Sequence, residues 1–229
     1  EILQERAERR QQAQIDEEIQ TNISTLRRVF LEEILCNEKL CGEKLQQGLA
    51  RLGICLDPDQ VYCLVFRIGN AYRLDNMGAD QAKSTVNAIM SICEEVTGDD
   101  YWGYCFQIKE DEFVLLLSPK KPSARIEGVI TACQRLLTIL EQYLGLKAVI
   151  GIGDVAISYD GIRTAYRQAN EAIQYRFFKE NDQIILWKRV EHLPPPRETY
   201  SVLQYRDRIE QTFLQAQVEE LCSVFDAII

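Results

Sequence analysis

The chain has 229 residues, 46% of them apolar and 27% charged, which fits a folded domain with helical extensions and excludes a disordered one. No apolar run approaches the roughly 20 residues of a membrane-spanning helix, and no basic-plus-apolar leader opens the sequence, so a cytoplasmic setting without membrane contact is expected. The formal net charge of −9 argues against direct nucleic-acid binding, because the short basic clusters Arg6, Arg9, Arg10 and Arg27, Arg28 stand among glutamates.

Residues 1 to about 35 read as one long helix without Gly or Pro. Its apolar stripe starts weakly at Ile2 and Ala13 and strengthens through Ile15, Ile19, Ile23, Leu26, Phe30 and Ile34, in helical steps of three and four. Such a helix either packs along its own domain or meets a partner helix. The sequence favours a coiled-coil seam at Ile15, Ile19, Ile23, Leu26 and Phe30, and with it a homodimer.

Residues 36–58 form a helical connector: helix resumes from Glu43 to Leu52, Gly53 stops it, and Asp57-Pro58-Asp59 turns. A domain spanning 59–190 follows, opening on the buried strand Val61 to Phe66. A helix from Ala79 to Val96 turns inward Ala82, Val86, Ile89, Met90 and Cys93. Tyr104 to Leu117 then reads as a β-hairpin, with a charged turn and the continuous apolar strand Phe113 to Leu117.

Ser118 to Pro122 is a predicted loop, and Ala124 to Leu144 a helix closed by Gly145. Lys147 to Gly153 is a strand, Asp160 to Phe178 a helix, and Ile184 to Trp187 a last short strand. The order β-α-β-β-α-β, then α-β, predicts an α+β fold: a ferredoxin-like antiparallel sheet with helices on one face. Residues 191–229 read as a Pro-rich connector and C-terminal helices leading to a further domain.

The eight cysteines contain no Cys-x-x-Cys pair and the only histidine is His192, so zinc-ligand spacing is absent. Cys63, Cys93, Cys105 and Cys133 lie on apolar faces and are expected as reduced core thiols.

Lys109-Glu110-Asp111-Glu112-Phe113 resembles the Gly-Gly-Asp-Glu-Phe signature of diguanylate cyclases, with Lys109 and Glu110 in place of the glycines. Lys147 to Gly153 is similar to a cyclase-domain strand ending in a Gly-containing turn. Ala169 to Tyr175 resembles an Ala-Asp-x-Ala-Leu-Tyr helix pattern, with Asn170 where the acid is expected. With the leading-helix run Thr25 to Leu31, the arrangement most resembles the middle domain of bacterial response regulators. These carry a receiver domain in front and an AraC-type helix-turn-helix pair behind.

The resemblance implies a nucleotide-cyclase-like fold whose reaction uses two divalent metals held by carboxylates, one at the end of the first strand and others in the hairpin. Triphosphate would lie over the glycine turn. Phe66-Arg67-Ile68-Gly69-Asn70 offers no carboxylate, and Asp99 to Gln107 contains no arginine for a product-inhibition motif. Glu110 adds a like charge beside phosphate, which costs about 1 kcal/mol at ~4 Å in water and about 4 at an effective dielectric of 20. The expectation is therefore a non-enzymatic relay module without cofactor, with Asp111 and Glu112 left as solvated turn residues. A small-molecule or nucleotide sensor using the retired cleft is the alternative.

Overall fold

A computed structural model describes residues 23–37, 40, 42–69, 78–121, 125–175 and 183–193. The chain divides into two units, Glu1–Glu191 and His192–Ile229, and the elements below belong to the first. The expected helix before residue 23 and the C-terminal helices, with Ile15, Ile19 and Phe177, lie outside the described residues.

Helix α1 covers residues 23–36. Then follow α2 (Gly42–Leu52), β1 (Tyr62–Ile68), α3 (Ala79–Thr97), β2 (Tyr101–Lys109) and β3 (Glu112–Pro119). The last elements are α4 (Ile126–Leu144), β4 (Ala148–Ile152), α5 (Tyr159–Gln174), β5 (Ile184–Leu186) and a 3-10 turn at Trp187–Arg189. Gly53 and Gly145 take positive φ values of 61° and 64°, as C-terminal helix stops require.

The strands form one sheet in the order β2-β3-β1-β4-β5. β1 lies between β3 and β4, antiparallel to both, and only the final β4–β5 pair is parallel, as the intervening α5 requires. The α+β class is the one expected from the element order.

Helices cover both faces, where the sequence pointed to one. The helices inside the β-α-β-β-α-β unit, α3 and α4, do share a face. There Tyr62, Leu64, Phe66, Phe113, Leu115 and Leu117 pack with Ile89, Cys93, Cys133 and Leu136. The opposite face, carrying Val61, Cys63, Val65, Val114 and Leu116, is covered by α1, α2 and α5 through Leu31, Ile34, Leu45, Leu49, Ala165 and Ala169. The physical reason lies in β1 and β3. Their consecutive buried residues point to alternate faces, so each strand needs an apolar cover on both sides.

Two local features position the site. Gly151 of β4 and Gly153, just past its end, lie directly under α5, where a side chain would run into the carbonyl oxygens of Ala169 and Ala165 respectively. Glycines opposite alanines thus bring α5 unusually near the sheet. On the outer edge strand β2, the Cys105 amide donates to the Glu94 carboxylate of α3 at 3.3 Å. Strand β3 continues through Ser118 and Pro119, two residues beyond the expected loop start, because Ser118 is buried and its hydroxyl accepts the Asp57 amide at 2.8 Å.

Candidate functional site

The hairpin motif lies where β2 and β3 meet beside the end of β1. Glu110 and Asp111 form the turn, and the Ile68 amide donates to the Asp111 carbonyl at 2.9 Å, holding the turn to β1. Lys109 is exposed at the end of β2, opposite Glu112. Phe113 is buried and stacks on Phe66, ring centroids 5.1 Å apart.

Glu112 departs from expectation. Far from being a solvated turn residue, it is 1% exposed. Phe113 points to the α3–α4 face, so alternation turns Glu112 to the other face, toward α5. Register places Arg67 of β1 directly across from it. The Arg67 guanidinium lies 2.7 Å from Oε2 through Nη2, and its Nε donates to the same oxygen at 2.9 Å. Lys109 Nζ stands 3.4 Å from Oε2, and the Tyr166 hydroxyl donates to Oε1 at 3.3 Å.

Asn170, the residue in place of the expected acid, takes part as well. Its Oδ1 accepts from Arg67 Nη2 at 3.3 Å, a role for which a neutral amide suffices once Glu112 carries the charge. Burial pushes the Tyr166 phenol up to about 12, with the Glu112 charge adding to the rise. The cluster therefore joins β1, β2, β3 and α5 around one carboxylate. Sequence reasoning missed Arg67 and Tyr166. The available signal was an arginine inside the apolar run Tyr62 to Ile68, which calls for a buried anionic partner.

These residues do not fit a divalent cation. A metal approaching Glu112 would have to displace a guanidinium and lie beside a second positive charge on Lys109. Among the described residues no group of three or more His, Cys, Asp or Glu side chains is placed to hold a metal.

The proposed helix seam divides between two environments. Phe30 packs onto α2 beside Gly48, and Ile23 is half-buried, so neither belongs to a free face. Leu26 and Val29 are 57% and 50% exposed. Val29 was absent from the expected seam. No helix among the described residues is long and apolar enough to cross a membrane.

A sequence model of the GGDEF-like domain matches residues 39–175. No curated protein matches the chain. Among solved structures it is similar to the active GGEEF domain of a diguanylate cyclase from Vibrio cholerae, with 14% identity and a TM-score of 0.43 over 62% of this chain and 88% of that one. The FimX GGDEF domain from Pseudomonas aeruginosa matches at 18% identity and a TM-score of 0.40, over 56% and 81% of the two chains. Vibrio cholerae LapD S helix-GGDEF-EAL, bound to c-di-GMP, matches at 11% identity and a TM-score of 0.48, over 90% of this chain and 46% of that one. With the family model matched over more than half of the chain, this chain belongs to the GGDEF-like domain family.

Proposed function

We propose that this GGDEF-like domain is non-catalytic and serves as a signal-relay and self-association module of a bacterial two-component response regulator. Its receiver and helix-turn-helix domains would lie outside these residues. The observation that carries the reading is the Arg67–Glu112 pair. A fixed guanidinium stands where the resemblance implies a carboxylate and its metal. Lys109 and Glu110 stand where it implies glycines that let triphosphate approach the backbone. The regulator context is supported by sequence resemblance alone, in the run Thr25 to Leu31, the Gly-Ile-Gly strand and the helix around Asn170.

The relay part rests on α1. One side is built into the core through Leu31, Ile34 and Leu35, while Leu26 and Val29 face outward. A helix with one face in the domain and another free for a second copy is suited to passing on a change of helix position.

The test is incubation of the purified chain with GTP and magnesium or manganese, followed by chromatography. No cyclic dinucleotide is expected, and measurable product would end the non-catalytic reading. The sensor alternative has less support. Of the cavities among the described residues, one of about 380 Å³ lies between α2, the 54–57 loop and Trp102, and one of about 440 Å³ between α4 and β5; neither is lined by residues 109–113. A thermal shift with nucleotides would reopen that alternative.

A further inference from the structure

The end of α1 receives a side chain from a distant element, which takes two carbonyl oxygens there, one of which, Asn37 O, also accepts the Leu40 amide at 3.2 Å. Arg163 of α5, only 15% exposed at its side chain, donates from Nη1 to Asn37 O at 3.0 Å and to Ile34 O at 3.5 Å. Its Nη2 donates to Asp160 Oδ1 at 2.6 Å. Three residues along α5, Tyr166 donates to Glu112, and four further on Asn170 accepts from Arg67. Steps of three and four place Arg163, Tyr166 and Asn170 on one stripe of the helix. That stripe begins at the end of α1 and finishes at the hairpin. Tyr166 also packs against the apolar cluster that contains Leu31, Ile34 and Leu35 of α1.

The arrangement gives Arg163 two homes. With α1 seated, the guanidinium is shared between the helix carbonyls and Asp160. If the segment past Leu35 moves away, Asp160, itself largely exposed, keeps the charge paired. Opening therefore leaves no uncompensated buried cation, the usual obstacle to releasing such a contact. The buried anchors Leu31, Ile34 and Leu35 hold the helix itself in place, so the movement is confined to the segment past Leu35, which carries Asn37 O.

We propose that Arg163 is a latch, a positioning residue through which the end of α1 is coupled, by way of Tyr166, to Glu112 and the hairpin. The proposal rests on the relay reading and names the contacts that would carry it. Coupling between two sites is reciprocal in free energy, so loosening either end loosens the other.

The test is amide hydrogen exchange, read by mass spectrometry on the whole chain and on Arg163→Ala, Arg163→Lys and Tyr166→Phe. Arg163→Ala should raise exchange at least about threefold in peptides covering 34–37 and also in those covering 109–113. Arg163→Lys, which keeps a cationic donor, should restore part of the protection at both ends. Tyr166→Phe, nearly isosteric, should loosen 34–37 although it touches none of those backbone atoms. Fraying confined to 34–37 in Arg163→Ala, or no change at 34–37 in Tyr166→Phe, would reduce Arg163 to a simple helix cap and overturn the latch. If Arg163→Ala does not fold, the lysine and phenylalanine variants decide the question. The exchange pattern is read separately from GTP turnover and, at a fixed protein concentration, from sedimentation, so failure of the latch is distinguishable from failure of the relay reading.

Discussion

Arg67 and Glu112 face each other across β1 and β3, with Nη2 2.7 Å from Oε2, and the carboxylate they share with Tyr166 and Lys109 is sealed from solvent. Glu112 is thus a structural anion whose charge is met inside the protein.

Arg67→Ala removes the main counter-charge and leaves the carboxylate buried. The expected loss is up to about 3–5 kcal/mol in urea unfolding, because the buried charge keeps only the exposed Lys109 and the Tyr166 hydroxyl. The double variant Arg67→Met with Glu112→Leu should recover most of it, since apolar replacements of similar volume are often neutral. A single variant costing less than about 1 kcal/mol would mean that the pair behaves as a solvent-exposed one.

Gly153→Ala tests the closeness of α5 to the sheet. The new methyl group would meet the Ala165 backbone, which cannot rotate away, so a loss of about 1–3 kcal/mol and a lowered Tm are expected. Gly69→Ala is the control: its Cβ would lie 3.6 Å from Lys147 O, an ordinary contact. Equal Tm values for the two variants would contradict the packing described here.

Alkaline pH acts through Tyr166 and Tyr101, both raised by burial to about 12 from the usual 10. The unfolded chain loses these protons first. Their contribution to stability is therefore complete below pH 10 and declines as pH rises from 10 toward 12. Tyr166→Phe should flatten part of that decline in denaturant titrations, leaving the share due to Tyr101 and to the other groups that burial raises, Tyr104, Tyr159, Cys63, Cys105 and Cys133. An unchanged pH profile would show that the Tyr166 phenol ionises equally easily folded and unfolded.

Leu26→Asp combined with Val29→Asp should weaken self-association in sedimentation velocity while leaving the fold intact, because both side chains are largely exposed. Ile23→Asp should affect folding as well, since Ile23 is half-buried. A monomer at all concentrations for the unmodified chain would remove the homodimer from the relay proposal.

Much of the architecture was legible in the sequence. Gly145 marks the end of α4 because a left-handed residue there admits few alternatives, and Phe113 to Leu117 reads as a buried strand because five apolar residues follow one another. What escaped was pairing across the chain. Glu112 looks like one more charge in a turn until strand register sets it opposite Arg67. Phe30 looks like a seam residue until α2 folds back over it at Gly48. The glycines of Gly-Ile-Gly suggested a turn, whereas Gly151 and Gly153 make room for Ala169 and Ala165 on α5. In each case the missing information is a contact between residues far apart in sequence.

The carboxylate of Glu94 on the Cys105 amide bears on how copies of this protein can and cannot meet. An unguarded outer strand invites a neighbour to add its own strand, with amides and carbonyls zipping the two sheets into one. Here an incoming carbonyl would find its amide taken and a partly exposed anion in its way. The β2 edge is thereby guarded at its middle against open-ended strand-by-strand growth.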